Sequence, residues 1–174
     1  MRKDSGSSEG STAMDDTRPD AEDQKASVRL IADVMLGRLA KWLRLMGYDT
    51  RYDNAAEDVA LLRIAQQEDR ILLTRDRGLS RQRGVRAIWI ESQELAAQIR
   101  QVQAAIGPPA DGALTRCAVC NTRLEPIAKV DIEDRVPPYV LQTQDEFCHC
   151  PQCGRIYWAA THVDRMKEMI GALK

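Results

Sequence analysis

Two Cys-x-x-Cys pairs, Cys117/Cys120 and Cys150/Cys153, carry the sharpest chemical signal in this chain. Four thiolates so spaced can close a tetrahedron around Zn²⁺ with no open position, which makes a structural site rather than a catalytic one. Reactive groups must then lie upstream, where three aspartates stand apart in sequence: Asp33, Asp58 and Asp76. Clustered carboxylates repel one another unless they share a cation, and hard oxygens suit Mg²⁺ or Mn²⁺. Such ions can activate water and stabilise the leaving oxygen of a phosphodiester. Aspartates also serve as helix N-caps, and Asp33 and Asp58 both adjoin expected helix starts. Glu57 competes with Asp58 for either role.

Basic side chains crowd the same stretch. Arg75, Arg77, Arg81, Arg83 and Arg86 lie around Asp76, and Arg38, Lys41 and Arg44 fall together on one expected helix. They read either as a phosphate-contacting surface or as a solvated face balanced by Glu57, Asp58, Glu68 and Asp69. Thr74 could bond a carboxylate or a phosphate, or merely end a strand. The two histidines are His149, among the cysteines and able to contact the metal, and His162, beyond the last of them. Cys148 forms a Cys-x-Cys with Cys150, but the symmetry of the two pairs, with Gly154 freeing the second turn, favours Cys150 and Cys153. The chain has no G-x-S-x-G, P-loop or dinucleotide fingerprint, so nothing supports nucleophilic or nucleotide-cofactor catalysis.

The elements that would position these groups follow from periodicity. Residues 28–32 form a short apolar run ending at Asp33, read as a buried strand. Residues 36–46 have helical spacing, and Gly47 is a natural stop. A strand over 48–52 and a helix over 57–69 follow, the helix turning Val59, Leu62, Ile64 and Ala65 mostly inward. Strands over 70–74 and 85–90 and a helix over 94–106 complete an alternation that predicts a parallel α/β sheet covered by helices. Ligands of such sheets bind beyond the carboxyl ends of the strands, where Asp33, Asp58 and Asp76 should meet. Residues 107–112 read as a linker. Beyond them the cysteine pairs, with Pro126, Pro137 and Pro138 between, predict a ribbon of short antiparallel strands over 113–174, with a terminal helix at 163–173.

Composition bounds the rest. The chain has 174 residues and is 44% hydrophobic, enough for a core. Five cysteines are an odd number, all after residue 116, and no export signal is recognised, so metal binding is expected over disulfides. No apolar run is long enough for a membrane span, and a cytoplasmic protein is expected. Residues 1–26 hold seven acids and four bases and no apolar pattern, the composition of a disordered acidic tail; the remaining 19 acids and 21 bases are only weakly basic.

The run from Asp33 through Gly37-Arg38-Leu39-Ala40-Lys41-Trp42-Leu43-Arg44 to Asp49, then Arg70-Ile-Leu-Leu-Thr-Arg-Asp76, resembles the PIN-like RNase domain family named after the C-terminal region of the mutator-seven exonuclease. Arg116-Cys-Ala-Val-Cys-Asn121, Arg135-Val-Pro-Pro138, Cys150-Pro-Gln-Cys-Gly-Arg-Ile-Tyr-Trp158 and Thr161-His162 resemble its appended zinc ribbon. The resemblance covers about residues 28–166. It implies a PIN-like three-layer α/β/α sandwich over 27–106 in which Asp33, Asp58 and Asp76 bind Mg²⁺ or Mn²⁺ and hydrolyse single-stranded RNA. Lys41, Arg75 and Arg77 are then the expected phosphate contacts, and the ribbon would orient RNA or dock a ribosome or another protein. PIN nucleases often use a fourth acid; the nearest here is Glu91. The ribbon also departs from the family pattern at Ala160, where glycine usually precedes the Thr-His. The alternative is a non-catalytic RNA- or ribosome-binding adaptor of the same fold.

Overall fold

The computed structural model describes residues 28–110 and 112–158. Four strands, β1 (Arg29–Ala32), β2 (Asp49–Tyr52), β3 (Ile71–Thr74) and β4 (Ala87–Trp89), form a parallel sheet in the order β2-β1-β3-β4. A crossover helix between parallel strands covers a sheet face, so the central strands must be apolar on both sides. β3 is buried throughout, and β1 is buried from Leu30 onward.

Strand residues alternate between the two faces. Leu30, Ala32, Ile71 and Leu73 pack with α1 (Gly37–Leu45) and α4 (Leu95–Ile106) through Leu39, Leu43, Ile99 and Val102. Ile31 and Leu72 face the other way, against Leu61 and Ala65 of α2 (Asp58–Gln67) and Leu79 of α3 (Arg77–Ser80). This is the expected α/β/α sandwich. Two local expectations are corrected. Val59 is 77% exposed, because it lies about 200° around the helix from Leu61, whose side chain faces the core. Arg44 is buried, not part of a solvated face with Arg38 and Lys41. Positions 38 and 44 differ by six residues, which turns them about 120° apart around the helix.

The C-terminal part is an antiparallel sheet of β5 (Glu125–Pro126), β6 (Phe147–His149) and β7 (Ile156–Trp158), in that order. The segment between the cysteine pairs adds α5 (Pro138–Thr143) and a small core of its own, in which Ile132, Val136, Val140 and Phe147 are buried and Trp158 packs alongside. The ribbon is not a pendant module. Ala118 joins the α1/α4 core, and the Leu114 amide donates to the Leu45 carbonyl at 2.8 Å. Gly47 lies where the two parts meet: its φ is +102°, and a Cβ there would stand 2.0 Å from the Gly112 carbonyl oxygen. Residues 163–173, expected to be helical, and His162 lie outside the described residues. Among the described residues no helix is long and apolar enough to cross a membrane.

Candidate functional site

The carboxyl ends of β1 and β3 lie side by side, and a threonine hydroxyl ties them. Thr74, fully buried, donates from Oγ1 to Asp33 Oδ2 at 2.7 Å and accepts from the Asp76 amide at 3.0 Å. Asp33 is 4% exposed; its Oδ1 accepts from the Met35 amide at 3.3 Å and caps the short 3-10 turn Val34–Leu36 that leads into α1. Asp76 is exposed and caps α3, its Oδ1 accepting from the Leu79 amide at 2.8 Å. Both aspartates are therefore caps, and both still offer oxygen lone pairs at the edge where ligands of parallel sheets bind.

Asp58 opens α2 and is exposed, and its carboxylate caps nothing; Glu57 is the N-cap residue, without a side-chain bond. As they stand, the three aspartates are not a cluster whose oxygens all lie within 4.8 Å. The donor types fit a hard cation, with Asp33 and Asp76 held as a connected pair. Glu91 follows β4, exposed, its amide donating to Gln101 Oε1.

The cations expected to contact phosphate separate into two places. Arg77 lies 4.3 Å from the centre of the Trp89 ring, and Trp89 Nε1 donates to the Arg75 carbonyl at 3.1 Å, so Trp89 organises the chain around Asp76. The Arg75 Nε is buried and has no hydrogen-bond partner. Lys41 stands elsewhere, exposed on α1 against the ribbon.

Among the described residues, one group of metal-ligand type forms: Cys117, Cys120, Cys150 and Cys153, with all four Sγ atoms within 4.8 Å. A Zn–S bond of about 2.3 Å puts tetrahedral sulfurs about 3.8 Å apart; Cys117 and Cys153 Sγ are 3.7 Å apart. The two pairs sit in matching turns. Asn121 and Gly154, each just after its pair, have φ of 64° and 70°, and their amides donate to the carbonyls of Cys117 and Cys150. Burial raises the Cys117 thiol, but the Tyr157 hydroxyl and the Cys120 and Val119 amides outweigh it and bring it to about 6. Burial and the neighbouring sulfurs push Cys120 up to about 12. Sulfurs this close can all ionise only around a cation, which a soft divalent metal supplies. Cys148 and His149 are not members; His149 faces Glu125 across the β5–β6 pair at 3.7 Å.

A family model described as Mut7-C RNAse domain matches residues 28–170. This chain belongs to the Mut7-C RNAse domain family. Membership makes it a ribonuclease-type domain with RNA as substrate or partner, and the match runs through both the sandwich and the ribbon. No curated protein and no solved structure matches the chain.

In this Mut7-C domain the joint between sandwich and ribbon is built by residues whose part was not read from the sequence. Arg44 donates from Nε to the Thr50 carbonyl at 2.7 Å and from Nη1 to the carbonyls of Ala118 at 3.2 Å and Val119 at 2.7 Å, inside the first cysteine turn. Its burial lowers its pKa, against the pull of Cys117, Cys120 and Asp49. Asp49 accepts from Arg70 at 2.7 Å and from Asn121 Nδ2 at 2.9 Å, with Arg116 at 3.5 Å. Burial raises the Asp49 carboxyl, but the bonds from Arg70 and Asn121 prevail and hold it below the ordinary range. Asn121 also accepts from the Thr50 amide, so one side chain both forms the turn and docks it on β2.

Proposed function

We propose that the protein is a metal-dependent ribonuclease hydrolysing phosphodiester bonds of single-stranded RNA at the carboxyl edge of its parallel sheet. The observation that carries this reading is the Asp33–Thr74–Asp76 connection at the ends of the two central strands, within a chain of the Mut7-C RNAse domain family. Asp33, Asp58 and Asp76 would hold Mg²⁺ or Mn²⁺, which supplies water activation and charge neutralisation at phosphate when bound. The Thr74 hydroxyl and Met35 amide fix Asp33 before any ligand arrives, which lowers the reorganisation needed for binding. Asp76 keeps its second carboxylate oxygen without a partner among the described residues, and Asp58 is unrestrained at the head of α2.

Arg75 and Arg77 would hold phosphates beside Asp76, with Lys41 contacting the strand farther along. The four cysteines would hold a structural Zn²⁺ that keeps the ribbon docked, and the ribbon would orient RNA or meet a ribosome or another protein. We place the protein in the cytoplasm. The test is a Mn²⁺ titration into zinc-replete protein, wild type against Asp33→Asn/Asp76→Asn. Saturable binding that the double variant loses supports the acidic site. Equal behaviour makes the aspartates caps alone and favours the non-catalytic adaptor.

A further inference from the structure

A cavity of about 290 Å³ opens between α1 and the ribbon, away from the acidic edge. Its walls include Leu45, Val119, Tyr157 and Trp158, with Lys41 and Arg155 beside them. No acidic residue lines it. Lys41 and Arg155 are exposed, and their side chains make no hydrogen bond or ion pair among the described residues. Other exposed arginines, Arg38 and Arg63 among them, are likewise unpaired; what sets Lys41 and Arg155 apart is their place beside an apolar hollow. Two free cations beside an aromatic, apolar hollow match a ligand with one flat apolar part and one anionic part. The volume sits at the low end of the roughly 300–1,000 Å³ of small-ligand sites, room for one such unit.

Resting on the ribonuclease reading, we propose that this cleft is a second RNA contact that takes one nucleotide of a single strand. The base lies against the Tyr157 ring, which shares its strand face with Arg155, and Lys41 and Arg155 hold the flanking phosphates. Aromatic stacking combined with a cationic track is how single strands are held without reading their sequence. The cleft is joined to the acidic edge by α1 itself: Lys41 follows Asp33 by eight residues, roughly 13 Å at helical rises of 1.5–2.0 Å per residue. One strand can therefore reach both places. Tyr157 is fixed by its hydroxyl, 3.1 Å from Cys117 Sγ and 3.2 Å from the Ala118 amide, so the cysteine site holds one wall of the cleft.

The experiment uses the full chain and a fluorescein-labelled single-stranded RNA of about ten nucleotides, followed by anisotropy over a range of salt. Lys41→Ala/Arg155→Ala removes two exposed, unpaired cations and leaves the core alone. The expected result is weaker binding with a log K against log salt slope shallower by about 1.4, two contacts at about 0.7 each. Val119→Glu adds a charge at a half-exposed position of the cleft and should weaken binding similarly. Wild-type binding with unchanged affinity and slope in the variants overturns the cleft and leaves the ribonuclease reading standing. Variants that lose thermal stability at unchanged RNA affinity also overturn it, pointing to chain beyond residue 158 as the occupant. A wild type that binds no single-stranded RNA at low salt overturns both readings.

Discussion

Replacing Arg44 with methionine tests how the ribbon is held. Arg44 is 6% exposed, and its guanidinium donates to three carbonyls, one on β2 and two within the first cysteine turn. A hydrogen bond from a charged group contributes about 1.5–3 kcal/mol. The three share one side chain and do not add, and methionine removes the cost of burying a charge. The Val119 residue is half exposed, so water can reach that carbonyl, whereas Ala118 is buried. A net loss of about 3 kcal/mol follows, or about 9 °C in Tm at roughly 3 °C per kcal/mol for a chain of this size. The freed carbonyls lie between two of the clustered cysteines, so zinc affinity, if these hold the metal as proposed, should also fall about 10- to 100-fold, as for other supporting contacts of metal sites. Thermal melts followed by circular dichroism and zinc transfer to a chromogenic chelator read the two effects. Arg44→Lys keeps the charge but not the fork and should fall between. A Tm within about 1 °C of wild type together with unchanged zinc transfer would refute the reasoning.

Elemental analysis of purified protein should find about one zinc per chain, as a closed four-thiolate site holds; Cys117→Ser and Cys153→Ser should lose it and Cys148→Ser should keep it. Asp49→Asn should destabilise the protein at neutral pH. Because the folded carboxyl titrates lower than the unfolded one, its contribution is complete above the unfolded value of about 4 and disappears as pH falls through the folded value. The difference between wild-type and Asp49→Asn melts should accordingly narrow in acid; a difference that does not vary with pH would rule out the ionised carboxylate as its source. Gly47→Ala should cost at least about 2 kcal/mol by urea unfolding, since it meets a positive φ and the Gly112 carbonyl together.

The central strands and the three long helices were legible because parallel sheets demand continuous apolar runs and their covering helices demand a 3.6 period. α3 escaped because four residues carry no period; its only signal is the Asp76 cap. α5 escaped because Pro137 and Pro138 read as loop punctuation, although proline is favoured at a helix's first turn and occupies it here. The four cysteines that cluster could be chosen from spacing alone, since each turn is local. The docking joint could not: Asp49 and Asn121 meet across 72 residues, and no local pattern marks a pair that distant. Of the two aspartates expected as caps, Asp33 is one and Asp58 is not, while Asp76 caps a helix with no period to predict it. Asp33 and Asp76 do cap, and a capping carboxylate that uses one lone pair still has others, so the two roles do not exclude each other.

Cleavage of an end-labelled single-stranded RNA is the measurement closest to the proposed activity. It is run with full-length wild type, Asp33→Asn and Asp76→Asn, with Mn²⁺, with Mg²⁺ and with chelator, on zinc-replete protein. Metal-dependent cleavage by wild type that both variants lose while still binding RNA is the predicted result. Cleavage that persists in chelator or in the variants, or RNA binding without cleavage under every condition, would contradict a metal-dependent ribonuclease at this edge.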